Sequence, residues 1–371
     1  MHLADQIALG SSGTAHRVFW INTYTRLPKI SIHEFSRAFR ILTNRSHKAE
    51  SQQHTESGSS IISATPLQFP WFTPPVRQLN GFCGGRFFRH FVKKHNIQSP
   101  VLITNFPCVV DTFKSIRKSF PDVTQVYYCF DDFIEYPGFN PKHWRAMENE
   151  FFDTVDGAVF TSRDLVQKKH REGLPDLYLP HGVDYEHFSR ANGTKKIETL
   201  EKIKKPIVGF FGGLSPRWFD VETFIYLAKR FPQYSVVVIG PSESSTEMFA
   251  GIDNLHYLGR ISYAEIPYYA RYFDIALMPF AKNGLTQAAN PLKLYEYFAL
   301  GLPTISTPLS SLADVCGPIY FANTHEEFGN QLETILGSDL DAARQLAQEV
   351  AGQNSWSARA EELIKFIETI E

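Results

Sequence analysis

From residue 101 to residue 307, short apolar segments typical of β-strands alternate with segments of helical periodicity. The alternation runs once from Val101 to Leu179 and starts again at Ile207. Strands that alternate with helices predict a parallel sheet covered by helices on both faces, so we expect an α/β protein. A length of 371 residues suits two such domains.

The first series follows an N-terminal region of mixed character. Residues 46–65 contain few apolar side chains and predict a flexible or disordered segment. Strands are expected at Val18–Asn22, Val101–Asn105, Gln125–Phe130, Gly157–Thr161 and Leu177–Leu179, and helices at Ser31–Leu42, Val110–Ser119, Pro141–Phe152 and Ser162–Glu172.

The second series begins after a polar, lysine-rich stretch. Strands are expected at Ile207–Phe211, Ser235–Ile239, His256–Leu258, Ile275–Pro279 and Pro303–Thr307, and helices at Val221–Arg230, Tyr263–Arg271, Pro291–Ala299 and Ser355–Ile370. We therefore predict a first domain at 1–187, a linker at 188–205, a second domain at 206–354 and a C-terminal helix at 355–371. Ligands of such sheets bind outside the carboxyl ends of the strands, which places the expected site in a cleft between the domains.

Charge and apolar content exclude several classes of protein. The formal net charge of −2 argues against a nucleic-acid partner, because such proteins carry a basic surface. No apolar run reaches the length of a transmembrane helix, and no signal peptide is recognised. The four cysteines lack metal-site spacing, which predicts reduced thiols. We expect a cytoplasmic protein; contact with the inner face of the membrane, as a peripheral protein, is left open.

One predicted helix carries residues suited to a diphosphate. Asn290 is a good N-cap residue and Pro291 suits the first helical position. The free N–H groups of a helix start attract phosphate, and Lys293 in the first turn adds a positive charge. Glu296, three residues later, shares a face with Lys293 and can accept hydrogen bonds from a ribose. A surface Lys–Glu pair on an ordinary amphipathic helix is the alternative.

Five segments resemble one family of enzymes, in the same order. Together they resemble the GT-B glycosyltransferases, and within them the family-4-like (group 1) bacterial enzymes of surface polysaccharide synthesis, including the teichuronic-acid type. The segments are Pro180–Asp184, Ile207–Leu214, Leu258–Ile261, Asn290–Thr307 and Ser355–Arg359. The resemblance implies two Rossmann-like, doubly wound domains that face each other across a cleft, with the last helix crossing back to the first domain.

The resemblance also assigns roles in binding the donor. The expected donor is a nucleotide-diphosphate sugar of the UDP or GDP type, bound without a cofactor. Lys293 would contact the diphosphate and Glu296 the ribose, beside Asn290 and Leu292. Gly212 and Gly213 would let the backbone approach the phosphates, with Arg217 adding charge. The base would lie near Arg260 and Ile261.

The first domain is expected to hold the acceptor, a glycan or a lipid-linked sugar. Asp131 and Asp132 follow a predicted strand, where a catalytic base would lie; helix or loop capping is the alternative. His181 and Arg26 are further acceptor-side candidates. Two adjacent aspartates do not form an Asp-x-Asp motif, so no metal is expected.

Two departures from the family pattern keep other functions open. The first glutamate of the family's Glu-x7-Glu motif falls at Ala288, which leaves the retaining or inverting outcome undecided and assigns the donor sugar to the Thr286–Asn290 loop. Met1–Ala8 resembles the end of a helix, so the first strand is expected to be missing. The prediction is a hexosyltransferase-type enzyme of cell-surface glycan synthesis; a sugar-nucleotide epimerase and a non-catalytic binding subunit are the alternatives.

Overall fold

A computed structural model of the chain forms two compact units. Residues 1–179 with 360–371 form the first unit, and residues 180–359 form the second. The structure describes residues 19–21, 50–54, 60–64, 66, 69, 73–136, 140–189, 195–243 and 246–370. The predicted helix Ser31–Leu42, the segment Met1–Ala8 and the candidate Arg26 lie outside these ranges.

A three-stranded sheet lies near the start of the first unit. It consists of β1 (Phe19–Ile21), β2 (Glu50–His54) and β3 (Ser60–Ala64). β3 pairs in parallel with β1 and antiparallel with β2. The prediction of a flexible segment at 46–65 was therefore wrong for residues 50–54 and 60–64. Polar strands escape a search for apolar periodicity, because backbone hydrogen bonds and sheet context stabilise them.

The main sheet of the first unit has four parallel strands in the order β4-β5-β6-β7. The strands are β4 (Val101–Thr104), β5 (Thr124–Cys129), β6 (Gly157–Phe160) and β7 (Asp176–Tyr178). The helices are α1 (Pro74–His95), α2 (Val110–Ser119), α3 (Pro141–Phe152) and α4 (Arg163–Lys169). The sheet confirms the predicted α/β alternation, and α1 has no counterpart among the predicted helices.

The second unit contains a six-stranded parallel sheet in the order β10-β9-β8-β11-β12-β13. The strands are β8 (Ile207–Phe211), β9 (Ser235–Ile239), β10 (Leu255–Tyr257), β11 (Ile275–Met278), β12 (Thr304–Ser306) and β13 (Ile319–Phe321). From β8 the chain builds first to one side, through β9 and β10, and then to the other, from β11. The strand order therefore reverses between β8 and β11, the place where ligands of such sheets bind.

Nine described helices complete the fold in chain order. They are α5 (Tyr185–Ser189), α6 (Glu198–Glu201), α7 (Glu222–Arg230), α8 (Ile266–Ala270), α9 (Gly284–Ala288), α10 (Leu292–Ala299), α11 (His325–Leu336), α12 (Leu340–Gln353) and α13 (Trp356–Ile370). The apolar strands β8, β9 and β11 are buried along their whole length, as expected for a sheet covered on both faces.

The division between the units lies upstream of the predicted boundary at residue 187. Val183 forms a β-bridge with Ser355, which ties the segment after β7 to the second unit. The described part of the predicted linker 188–205 also belongs to the second unit. From Ala360 onward, α13 belongs to the first unit, where Leu363 packs against Val126 and Val159.

The cysteines and the helices were also compared with the predictions from the sequence. All four cysteines are free; Cys108 and Cys129 are buried, whereas Cys316 is exposed. None of the described helices combines the length and the apolar composition that crossing a bilayer requires.

Candidate functional site

The start of α10 differs in detail from the predicted cap. Pro291, in an extended conformation, is the N-cap residue, and no side chain caps the helix. The Oδ1 atom of Asn290 instead accepts a hydrogen bond from the backbone N–H of His181 at 3.2 Å. The expectation that Asn290 caps this helix was wrong, because its side chain bonds the segment after β7. Asn290 thus fixes the loop before α10, and the first turn of the helix keeps backbone N–H groups without a side-chain cap.

Lys293 extends from this first turn to the carboxyl end of β8. Its Nζ atom lies 5.5 Å from the centre of the Phe211 ring, a cation–π geometry. Tyr297, one turn later, is fully buried, and its hydroxyl accepts a hydrogen bond from the backbone N–H of Phe211 at 3.1 Å. This hydrogen bond fixes α10 against β8 and thereby positions Lys293.

Two adjacent glycines, Gly212 and Gly213, follow β8, and the fold requires glycine only at 212. Gly212 has a φ of +150°, and a Cβ placed there would lie 2.9 Å from Lys293 Nζ and closer still to Cε. A Cβ on Gly213 would meet nothing within 4 Å. Gly240, after β9, also has a positive φ and lies against the carbonyl group of Gly212. Glycine is thus required at 212 by the neighbouring Lys293, and the approach of the phosphates to the backbone at Gly212 and Gly213 stays a prediction.

Glu296 is a buried carboxylate on the same face of α10. Only 4% of the residue is exposed. Burial raises the pKa of Glu296, while the nearby charges of Lys293 and His187 and the side chain of Tyr263 oppose the rise. A carboxylate held in this way has lone pairs left to accept further hydrogen bonds.

The side chains of His187 and Tyr263, which no sequence motif marked, lie in the same unit as Lys293 and Glu296 and stack on each other. The His187 ring stacks on Tyr263 with centroids 4.7 Å apart and planes 15° apart, and its Nε2 atom lies 3.1 Å from the Tyr263 carbonyl oxygen. Phe188 packs edge-on against Tyr263 at 5.8 Å. No sequence motif marks His187 and Tyr263, because they are 76 residues apart.

The other predicted donor residues lie at the surface or beside the core. Arg217 and Arg260 are exposed. The Arg217 carbonyl accepts a hydrogen bond from Asn283 at 2.8 Å, which ties the turn after β8 to the start of α9. Ile261 packs against the hydrophobic core, and Leu292 is half-buried. Ala288 is fully buried at the end of α9.

A cavity of about 500 Å³ lies along the carboxyl ends of β11, β12 and β13. Phe219 and Phe280 line it, with rings stacked at 4.8 Å. At its wall, the Nε2 atom of His325 lies 2.7 Å from a carboxylate oxygen of Asp220. The lining includes none of the predicted donor residues, so the cavity and the Lys293–Glu296 face are separate features of the second unit.

In the first unit, Asp131 follows β5 and is hydrogen-bonded to Tyr136 at 2.7 Å. Burial raises the pKa of Asp131 to about 6, the neighbouring Asp132 adds to this rise, and the bond from Tyr136 opposes it. A carboxylate with such a pKa can accept a proton near neutral pH, which suits the predicted role of a base.

Asp132 has a different environment from its neighbour. Its Oδ1 atom lies 3.1 Å from the buried Nζ atom of Lys169, which also forms hydrogen bonds of 2.7 Å with both carboxylate oxygens of Glu148. The Tyr127 hydroxyl donates to the same Glu148 at 2.7 Å. The Asp132 side chain also accepts a bond from the Ile134 N–H, as the capping alternative predicted. Asp132 thus belongs to a buried charge network, and Asp131 is the better candidate for proton transfer.

His181 lies in the second unit and is half-buried. Its Nδ1 atom is buried and has no hydrogen-bond partner among the described residues, and its ring lies 5.9 Å from Trp356. Burial, assisted by Arg359, lowers the pKa of His181 to about 4. A half-buried imidazole with a lowered pKa favours a structural role. The described residues contain no group of three or more His, Cys, Asp or Glu side chains able to hold a metal.

Comparison with known families decides the class of the second unit. Residues 205–338 match the model of the group 1 glycosyl transferases. This segment is a group 1 glycosyl transferase domain. The domain contains Gly212, Tyr263, Lys293 and Glu296, whereas His187 precedes it.

One curated relative matches a longer part of the chain than this domain. The Bacillus subtilis (strain 168) protein TuaH, whose name assigns it to the glycosyltransferases of teichuronic acid biosynthesis, is 26% identical over 241 residues. The match covers 62% of this chain and 60% of TuaH, so the chain spans about three fifths of the length of that curated relative.

Solved structures show the fold. Anabaena Alr3699/HepE in complex with UDP has a TM-score of 0.65 at 15% identity and covers 95% of this chain and 100% of its own. An α,α-trehalose-phosphate synthase (UDP-forming) from Burkholderia vietnamiensis has a TM-score of 0.64 at 12% identity and covers 95% and 99%. The two parallel-sheet units are those of the GT-B fold, as the sequence predicted.

Proposed function

We propose that this chain is a glycosyltransferase that moves a sugar from a nucleoside-diphosphate donor to an acceptor in cell-surface glycan synthesis. The observation that carries the proposal is the face of α10, where Lys293 and Glu296 lie one turn apart beside Gly212. That face occurs inside the segment that matches the group 1 glycosyl transferases.

The donor site follows from the charges on this face. The Lys293 ammonium and the amino end of α10 contact the diphosphate, and they neutralise the negative charge that grows on it when the glycosidic bond breaks. The Glu296 carboxylate accepts hydrogen bonds from the ribose hydroxyls. UDP is the first nucleotide to test, because HepE was solved in complex with UDP and the Burkholderia synthase is described as UDP-forming. GDP remains the second choice.

We further propose that no metal takes part. Lys293 and the start of α10 supply the positive charge that a divalent cation gives the leaving diphosphate in other transferases. A chelator such as EDTA should leave the transfer rate unchanged, and restoration of a lost rate by Mg²⁺ or Mn²⁺ would refute this point.

The acceptor is proposed to bind the first unit, near Asp131. The name of TuaH favours a bacterial surface polysaccharide as the product, with a lipid-linked precursor or a free glycan as acceptor. In an inverting reaction Asp131 takes the proton from the attacking acceptor hydroxyl, while the oxygen of the donor phosphate leaves with the electrons of the broken bond.

Calorimetric titration with UDP, GDP, TDP and ADP tests the donor site. One nucleotide should bind, and Lys293→Ala and Glu296→Ala should each weaken its binding about tenfold to a hundredfold, the effect of one charge-assisted hydrogen bond. Lys229→Ala, at an exposed position on α7, should have no effect. Failure of every nucleotide to bind would overturn the donor site, and binding without transfer or hydrolysis would favour a binding subunit.

A further inference from the structure

The cavity at the carboxyl ends of β11, β12 and β13 has no part in the proposed donor site. It lies wholly within the second unit, and its volume of about 500 Å³ is in the range of sites for small molecules. Its described lining contains neither Lys293 nor Glu296. The cavity is therefore a candidate site for a second ligand.

The buried part of the cavity wall is aromatic. Phe219, Phe280 and Phe328 line the cavity, and none of them is more than 7% exposed. A β-bridge between Phe219 and Phe280 joins the loop after β8 to the loop after β11. Beside it, the backbone N–H of Asp220 donates to the Pro279 carbonyl at 2.8 Å. A wall held by these contacts is preformed, so a ligand does not have to order it on binding.

The more exposed part of the wall is polar. The Lys282 Nζ atom donates to Oδ1 of Asn323 at 3.1 Å, which leaves the amide N–H groups of Asn323 available to donate. Asp220 lies 2.7 Å from Nε2 of His325 and also accepts a hydrogen bond from the Glu222 backbone N–H at 3.2 Å. These side chains hold one another in place and still have donors and acceptors for a ligand.

The charges at this wall indicate the class of ligand. The described lining has the carboxylates of Asp220 and Glu222 and one lysine, Lys282. A phosphate or a nucleotide would be repelled by the two carboxylates, which disfavours an anion. A sugar suits both parts of the wall, because its ring presents apolar C–H groups to the phenylalanines and its hydroxyls both donate and accept hydrogen bonds.

We propose that this cavity binds a sugar unit of a glycan chain, a unit that does not itself react. The assignment to a glycan rests on the proposed function, because a transferase of cell-surface glycans meets such chains as acceptor or product. Asn323 and Lys282 donate hydrogen bonds to the sugar hydroxyls, and Asp220 and Glu222 accept hydrogen bonds from them. A chain bound in this way stays on the second unit when the nucleotide leaves.

Met248 provides a direct measure of what enters the cavity. It lines the cavity, is 40% exposed and is one of four methionines in the chain. In the full chain labelled with ¹³C-methyl methionine, the Met248 signal is assigned with Met248→Leu. Titration with cellobiose, maltose or N,N′-diacetylchitobiose should shift this signal to saturation for at least one sugar. The Met147 methyl group, buried in the first unit, should not respond.

Asn323→Ala tests whether the polar wall takes part. The variant should weaken binding of the sugar about threefold to tenfold, the effect of one lost hydrogen bond between neutral groups. Asn323 is exposed, so its replacement should not disturb folding. Asn330→Ala, at an exposed position on α11 outside the cavity lining, is the matched control and should bind as wild type does.

The glycan site is overturned if none of the three sugars shifts the Met248 signal, or if Asn323→Ala binds as tightly as wild type. A shift with UDP or inorganic pyrophosphate and with no sugar also overturns it, because the cavity then holds the donor. Nucleotide binding without sugar binding removes only this site. Sugar binding without nucleotide binding supports the site, whereas the proposed donor site fails.

Discussion

The side chain of Lys293 passes through the space that a Cβ atom on Gly212 would fill. A Cβ there would lie 2.9 Å from the Lys293 Nζ atom, and the φ of +150° at Gly212 is one that other residues rarely adopt. The lysine reaches the carboxyl end of β8 because residue 212 has no side chain.

Gly212→Ala should therefore weaken nucleotide binding about tenfold or more by displacing Lys293 and straining the turn. Gly352→Ala is the control, because a Cβ at 352, on α12, also meets nothing within 4 Å and Gly352 is not a predicted donor residue. Calorimetric titration with UDP measures both variants, and circular dichroism checks that both fold. Equal affinities for the two variants would contradict this account of the turn.

Asp131 should make the protein less stable at neutral pH. The folded-state pKa of about 6 lies above the unfolded value near 3.8, so the folded protein binds this proton more tightly. Stability is then lost as pH rises from about 4 through 6, by about 2–3 kcal/mol in total. Asp131→Asn should unfold at a higher urea concentration than wild type at pH 8, with no difference at pH 3.5.

The same variant should be unable to transfer sugar by an inverting mechanism, because an amide cannot accept the proton. If Asp131→Asn is more stable than wild type but inactive, the carboxylate is retained for function at a cost in stability. Full activity in this variant would remove Asp131 from the mechanism without affecting the donor site.

Lys169 should be necessary for folding of the first unit. Lys169→Met leaves Glu148 and Asp132 buried without their cation, which should cost about 3–5 kcal/mol of unfolding free energy at pH 7. Lys168→Met, on the adjacent and more exposed lysine, should change stability by less than about 1 kcal/mol. Similar urea midpoints for the two variants would refute a dominant role of the buried network.

His181 should make the second unit sensitive to acid. The folded-state pKa of His181, about 4, lies below the unfolded value of 6.5. Its contribution to the free energy of unfolding is therefore fully present above pH 6.5, and the free energy of unfolding falls by about 2–3 kcal/mol as pH decreases toward 4. His181→Gln should reduce this fall in urea or thermal unfolding, whereas His90→Gln, at an exposed position, should not. A pH profile of His181→Gln identical to that of wild type would show that another group causes the acid sensitivity.

Much of the second unit could be predicted from the sequence. β8 and β9 have the predicted bounds, because a run of apolar and β-branched residues between polar segments has few other folded solutions. The shared face of Lys293 and Glu296 follows from their spacing on one helix. These features depend on residues close together in the chain.

The helix α1 shows why other elements were missed. Gly81, Gly84 and Gly85 weaken a helix prediction, since glycine is a poor helix former. In the structure these glycines let α1 approach α2 so closely that a Cβ on Gly84 would meet Thr112 and one on Gly85 would meet Ser115. Helix packing, which the local sequence does not encode, explains their presence.

The sequence by itself determined the α/β class, the strand and helix series and the face of α10 that carries Lys293 and Glu296, because periodicity and helix geometry act over a few residues. Only the tertiary structure decided which groups surround that face. The stacking of His187 on Tyr263 and the ion pair of Asp132 with the buried Lys169 join residues far apart in the chain. Burial and charge at these places depend on folding, and they set how the carboxylates bind protons and ligands.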